Sequence, residues 1–386
     1  MKKFIVALAA VALMASSAYA ADWDFYGNAR VHTFYDDADV NGGADGDAVL
    51  SEELQGNSRI GANVKVSDEL TARFEYGASD NKANIRHLYG EWNFGAGSLL
   101  VGQTYSPLNL FGSGQAYNDG GLEGYAGEMF GGREAQIKLT FGAFQIAFVA
   151  PDVQYYDYTT TRTFANGTID TTTYSDKEDA EDNAAGPAYD ADNDTLAHAG
   201  LTDGTDVTIP AIEVGYTLSG SNWDVVMVGG YQTFDLDQDD GEDVTSYGWG
   251  VDASMTFGAL SVTGQVNGGQ NVGNLWFIDV NGAGDAGGGY AAVVDDKVID
   301  NDAIGARICA AYQVNDMFGL EVGYGMQETE YDFKGAEDDE SSSYYINAPI
   351  TLAPGVLVVP EVGVIDYEEE GETDTTYFGA KWQINF

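Results

Sequence analysis

Cysteine is nearly absent, with Cys309 the only one in 386 residues. An exported chain with a single thiol has no internal disulfide framework and no thiolate cluster for a metal. Histidine is scarce too: His32, His87 and His198 stand far apart, with no cysteine or second histidine at ligand spacing. Basic residues number 16 against 62 acidic ones, a net charge of −46. That balance excludes nucleic acid as a partner, because a polyanion needs basic side chains to neutralise it. No Gly-x-Ser-x-Gly elbow or phosphate loop occurs, and the Gly-rich stretch 282–289 lacks the lysine and the strand-to-helix setting of such a loop. Nothing in the chain therefore points to an enzyme. Also missing is any run of 18 apolar residues, so membrane residence would have to come from strands rather than helices.

What is present begins with a secretory signal. Lys2 and Lys3, the apolar Phe4–Met14 and the small-x-small Ala18-Tyr19-Ala20 mark residues 1–20 for cleavage before Ala21. The expected domain plan is therefore a signal peptide, 1–20, and one folded unit, 21–386. Strong acidity with few aromatics would read as disorder, but 12% of these residues are aromatic and glycine is abundant. Ordered β-structure fits this composition better.

The stretch Thr376–Phe386 shows the pattern most plainly. Phe378, Ala380, Trp382, Ile384 and Phe386 fall on one face at period two, and Gly379, Lys381, Gln383 and Asn385 on the other. The same unit recurs from Trp23 onward, where Trp23, Phe25, Ala29 and Val31 oppose Asp24, Asn28, Arg30 and His32. Strands are predicted near 23–35, 57–66, 70–76, 85–93, 98–105, 133–141, 144–150, 209–218, 223–233, 245–257, 260–267, 303–314, 318–328, 342–352, 356–367 and 375–386. That makes sixteen. In the fourth, Arg86 shares parity with Leu88 and Trp92, which predicts a bulge or a misplaced boundary there.

The connections alternate in length. Two-to-four-residue turns, such as Ser67–Glu69 and Ala353–Gly355, alternate with longer acidic loops at 36–53, 79–84, 106–132, 151–208, 234–244, 268–302, 329–341 and 368–374. Short turns on one side and long loops on the other, with an even strand count, predict an all-β fold: a closed transmembrane antiparallel barrel of sixteen strands. Closure removes the open edge that the last strand would otherwise expose. Trp23, Trp223, Phe257, Phe318, Trp382 and Phe386 lie at turn-side strand ends, where an interfacial aromatic girdle belongs. The outer partner of such a wall is lipid.

Several stretches resemble the general diffusion porins of Gram-negative outer membranes. They are Asp24-Phe25-Tyr26-Gly27, Gly56-Asn57-Ser58-Arg59-Ile60-Gly61 followed by Asp68-Glu69-Leu70 and Arg73-Phe74, Leu99–Pro107, and the last strand with Phe386. The resemblance implies an integral outer-membrane channel for ions and small hydrophilic solutes, assembled as a homotrimer, with short periplasmic turns and long extracellular loops. It also implies a third loop folded into the lumen and a C-terminal signal, Phe386 with Trp382, read by the barrel-assembly machinery. Lumen-side parity of the first three strands supplies Arg30, Arg59 and Arg73, with Lys65 deeper on the second, and by the same resemblance Asp119, Glu123 and Glu128 of the third loop would face this basic wall. Opposed charges across a narrow wet gap set up a transverse field. The chain departs from the family in having Gln103 where many relatives are basic, and in lacking their Pro-Glu-Phe-Gly-Gly-Asp run.

The fourth loop is strongly acidic, with only Arg162 and Lys177 against its carboxylates. Asp190–Asp194 and Asp235–Asp239 resemble the start of calcium loops, yet Thr195 and Asp240 replace the glycine, and Leu201 and Ser246 the closing glutamate. The expectation is no resident cofactor, with Ca2+ the one ion that the acidic loops could gather. A negative mouth concentrates cations, which predicts weak cation selectivity. A substrate-specific channel and a structural or adhesive surface barrel are the competing readings.

Overall fold

Side chains that alternate at period two become, in space, a wall with two unlike faces. The computed structural model describes residues 21–40, 48–79, 82–117, 119–123, 126–163, 169–170, 194–203, 207–236, 242–280, 287–294, 297–331, 338–367 and 373–386. Residues 1–20, expected to be a signal segment, and most of the runs Asp190–Asp194 and Asp235–Asp239 lie outside them.

The strands are β1 (Asp22–Val40), β2 in two segments (Val49–Leu54 and Arg59–Lys65), β3 (Leu70–Ser79), β4 (Lys82–Asn93), β5 (Ser98–Tyr105), β6 (Arg133–Phe141), β7 (Phe144–Val149) and β8 (Ala211–Ser219). They continue as β9 (Trp223–Asp235), β10 (Asp243–Phe257), β11 (Leu260–Gln270), β12 (Asn301–Gln313), β13 (Gly319–Tyr331), β14 in two segments (Asp339–Asn347 and Ile350–Ala353), β15 (Val356–Tyr367) and β16 (Thr373–Asn385). The sheet has 18 segments, of which two pairs are halves of one strand, giving 18 − 2 = 16 strands. Each pairs antiparallel with the next, and β16 returns to β1 from Asn28↔Asn385 to Val40↔Thr373. The ring is closed, as predicted. Among the described residues there is no α-helix, only two short 3-10 turns.

The turns are tight because of what occupies them. Gly95, Gly142, Gly258 and Gly355 all have positive φ, between 59° and 89°, a conformation that costs other residues a steric clash. On the opposite rim the loops add structure of their own. Gln154–Thr163 pairs with Asp194–Asp203 and, in parallel, with Ala292–Val294. Phe234, Val244, Ala291 and Val293 bury together and root this small sheet on the ends of β9 and β10.

The burial pattern is inverted relative to a water-soluble core. Ile304 and Ile308 are 54% and 56% exposed while Arg307, between them in β12, is 3% exposed. Tyr344 and Ile346 of β14 are exposed, and Ser343 and Asn347 are buried. Polar groups inside and apolar groups outside suit a wall whose solvent is lipid, where every backbone N–H and C=O must be paired within the sheet. The turn-side aromatics Trp23, Trp223, Phe257, Phe318, Trp382 and Phe386 are likewise exposed on that face.

Candidate pore constriction

Loop 106–132 leaves β5, runs through the lumen and returns to β6. It is held there by apolar packing at both flanks. Leu108, Leu110 and Met129 bury against Val228, Val272, Leu275 and Trp276, while Ala116, Leu122 and Ala126 share a cluster with Phe34, Tyr345 and Tyr377. Gly127 is one place where loop and wall come into close contact. A Cβ built there would lie 2.6 Å from the Ala306 nitrogen, and its φ of 73° disfavours other residues as well. Opposite, a Cβ on Gly325 would strike the Ala126 carbonyl.

The loop backbone is then fixed by acids and amides projecting from the wall. Glu361 accepts from Ala116 N at 2.6 Å and Tyr117 N at 2.8 Å, and Glu321 accepts from Gly114 N at 2.6 Å. Gln265 and Asn267 donate to the Gly127 carbonyl at 3.1 and 2.7 Å. Within the loop, Glu128 accepts from Ser113 N at 3.0 Å and Leu122 N at 3.1 Å, and also from Gly112 N. A segment with no helix or strand among its described residues thereby has partners for these backbone donors.

The wall facing the loop tip carries a basic arc organised on one carboxylate. Glu75 of β3 is fully buried. It accepts from Tyr26 OH, Arg73 Nη2 and Arg86 Nε, each at 2.7 Å, with Arg59 Nη1 at 3.6 Å and His87 Nε2 at 3.8 Å. Arg86 reaches this inward site because β4 bulges. Glu75 pairs with His87 and Tyr76 with Ile85, which skips Arg86 and turns two successive side chains into the lumen. Three arginines around one carboxylate leave the arc net positive.

The sequence pattern of the Gram-negative porin family matches residues 7–370. The chain belongs to that family. No curated protein matches it. Among solved structures, the porin resembles the outer membrane channel DcaP of Acinetobacter baumannii, with a TM-score of 0.66 at 15% identity over 95% of this chain and 97% of that one. The trimer form of in-vitro folded OmpT from Vibrio cholerae gives 0.57 at 14% over 95% and 100%. OmpF of Salmonella typhi gives 0.56 at 12% over 94% and 97%. These likenesses show the shared barrel. The porin is an integral β-barrel of the Gram-negative outer membrane and a channel, not an enzyme.

Within this porin the residues singled out by sequence for the constriction occupy five different settings. Arg59 and Arg73 lie on the Glu75 arc. Arg30 and Asp119 are in direct contact, with Arg30 Nη1 3.3 Å from Asp119 Oδ1, and Asn57 Nδ2 donates to the Asp119 carbonyl at 2.6 Å. That pair stitches the loop tip to β1 and β2. Glu128 is 2% exposed and faces Arg307 beneath the loop, away from the arc. Lys65 is at the turn-side end of β2, half exposed and 2.8 Å from Asp68. Glu123 is repelled by Glu128 and Asp119 and attracted by Arg133 and Arg86, and burial, seconded by Glu128, pushes its carboxyl up to about 8.

Three residues of the cluster, Glu75, Arg86 and Arg133, had no place in the sequence-based wall. Arg133 sits 4.7 Å over the Tyr105 ring and donates to its hydroxyl at 2.9 Å. Glu75 carried a signal in its parity with Arg73, whereas Arg86 could be found only through the irregular register of β4.

Proposed function

We propose that this porin is a general diffusion channel for ions and small hydrophilic solutes, with weak cation selectivity, working as a homotrimer. The observation that carries the selectivity is how the lumen arginines are used. Arg30 is paired with Asp119, Arg59, Arg73 and Arg86 share Glu75, and Arg307 is held by Asp252 and Glu128. Arg30 and Arg307 are thus compensated where they stand, and of these arginines only those sharing Glu75 keep a net positive charge. The chain as a whole keeps its excess of 62 acidic over 16 basic residues, so the mean field at the mouth is negative and gathers cations.

The narrow region is assigned to the space between Glu123 of the loop and the Arg59, Arg73 and Arg86 wall, with the loop tip pinned to β1 where Asp119 meets Arg30. With Glu123 ionised, passing ions meet opposite charges on its two sides, which separates cation and anion paths without a binding step. A zero-current potential measured across a salt gradient in planar bilayers should report cation preference that fades as salt rises. Anion preference at low salt would reject the reading. Liposome swelling with a size series of sugars should give a graded cutoff, and saturation by one solute would replace diffusion with specific uptake.

The trimer is supported by the trimer form of the OmpT relative. A heat-dissociable band at three times the monomer mass is the expected result, and a monomer alone would reject it. Cleavage of the signal segment before Ala21 would show as a mature amino terminus in mass spectrometry.

A further inference from the structure

Where the returning limb of the lumen loop meets β6–β9, the wall opens into a cavity of ≈ 180 Å³. A cavity of about 150 Å³ is enough to take up a benzene ring. Its lining combines two chemistries. Phe130, Trp276 and Tyr290 supply rings, and Glu134, Asp152 and Glu213 supply carboxylates.

Among the described residues, no salt bridge engages any of the three acids. They act on one another instead: Asp152 repels Glu134, and Glu134 repels Glu213. The basic group acting on Glu213 is Lys138, which also faces Glu91. Glu213 is partly committed, since its Oε2 accepts from Leu108 N at 3.2 Å. Glu134 and Asp152 have no such duty. The burial of Tyr290, followed by the nearby Asp152, pushes that phenol up to about 12, consistent with a negative local field.

Gln232 adds an independent observation. It lines the cavity, is 1% exposed, and donates its amide nitrogen to the Asp152 carbonyl at 3.2 Å. Its Oε1 has no hydrogen-bond partner. A buried carbonyl oxygen without a donor is costly, so the site wants a donor from outside the protein. An ammonium brings three donors and the charge that the carboxylates lack.

We propose that this cavity binds small organic cations, with an ammonium head between Glu134 and Asp152, donating to Gln232 Oε1, and an apolar or aromatic body against Phe130 and Tyr290. A metal ion fits less well. Among the described residues the one group of three carboxylates with oxygens all within 4.8 Å of each other is Glu328, Glu330 and Asp338, elsewhere in the chain. Rings beside acids favour an organic body with a charged head, through apolar burial and cation–π attraction.

The test is calorimetric titration of the folded, detergent-solubilised porin with benzylammonium chloride, beside benzyl alcohol as the neutral isostere and calcium chloride as the metal. Saturable binding of benzylammonium at one site per chain is expected, with neither comparison ligand bound. Glu134→Gln and Asp152→Asn should each weaken it about tenfold, the size of one charge-assisted hydrogen bond, with circular dichroism confirming that both variants are folded. Equal binding of the alcohol, undiminished binding in the double variant, tighter binding of calcium, or no saturable binding would each overturn the proposal. The measurement needs no current, so it stands or falls separately from the selectivity of the conducting path.

Discussion

Glu128 of the lumen loop and Arg307 of β12 meet at 3.4 Å with both side chains sealed from solvent. Arg307 also reaches Asp252, Gln265 Oε1 at 3.2 Å and Thr263 Oγ1 at 3.2 Å, while Glu128 collects three loop amides. The pair therefore couples loop geometry to wall geometry. Removing one member leaves a buried charge uncompensated, a cost of about 3–5 kcal/mol. Arg307→Met should lower the urea midpoint and raise single-channel conductance, with more current noise, because the loop loses its tether. Glu128→Gln keeps the shape and should do less. Wild-type conductance and midpoint in Arg307→Met would remove the tethering role.

Glu75 offers a cleaner electrostatic test. It is the common partner of Arg59, Arg73 and Arg86, so Glu75→Gln leaves those arginines with only each other. The wall gains one unit of positive charge, and the zero-current potential should move toward anions. Arg59→Ala and Arg73→Ala should move it the opposite way. Measured at about 0.1 M salt, where the screening length is about 10 Å, the shifts are largest relative to high salt. If all three variants share the wild-type potential, the arc does not set selectivity.

The barrel was legible in the sequence because lipid imposes a simple rule on every strand. Ile304, Ile308 and Tyr312 alternate with Arg307 and Cys309, and the same rule repeats through β16. Even the bulge in β4 was visible, as a parity conflict at Arg86. The constriction was legible only in part. Loop 106–132 follows no period, so composition could not separate Glu123, which feels Arg86 and Arg133, from Glu128, which is buried against Arg307. Arg30 and Asp119 were expected to face each other across a gap and instead touch, since contact between β1 and the loop tip depends on how the loop packs on Phe34 and Tyr377. Parity placed Lys65 on the lumen side, but depth along the strand set it beside Asp68 at the turn.

Glu123 gives the channel a pH dependence with a definite sign. Burial and the neighbouring Glu128 push its carboxyl up to about 8. Below that value it is protonated and neutral, and above it the loop tip carries one more negative charge. Cation preference should therefore rise as pH passes from 7 to 9, and Glu123→Gln should flatten that rise. The linked stability change runs in the other direction. A carboxyl whose folded-state pKa is raised stabilises the fold fully below its unfolded value, near 4.3, and that contribution is lost as pH climbs through about 8. Thermal unfolding at pH 6 and pH 9 should show a larger drop for wild type than for Glu123→Gln. Equal drops would assign the dependence to other groups.

The seam between β16 and β1 separates assembly from conduction. Phe386 and Gly27 exchange backbone hydrogen bonds, Gly27 N to Phe386 O at 2.7 Å and Phe386 N to Gly27 O at 2.9 Å, and a Cβ on Gly27 would stand 2.6 Å from the Phe386 ring. Trp382 closes the next part of the seam, donating from its indole to Thr33 Oγ1 at 3.0 Å. Trp382 and Phe386 are exposed on the outer face of the seam, whereas Arg30 meets Asp119 on the lumen side, so disturbing them should alter how much barrel forms and leave the properties of each formed channel intact. Deleting Phe386 should cut the amount of heat-modifiable protein in the outer membrane several-fold, with Trp382→Ala milder, while the channels that do insert keep the wild-type zero-current potential. Gly27→Val should reproduce the loss by pushing the ring away, with the Arg59 carbonyl 3.0 Å from the new Cβ limiting any adjustment. Normal outer-membrane levels without Phe386 would confine that residue to the geometry of the seam and remove it from assembly.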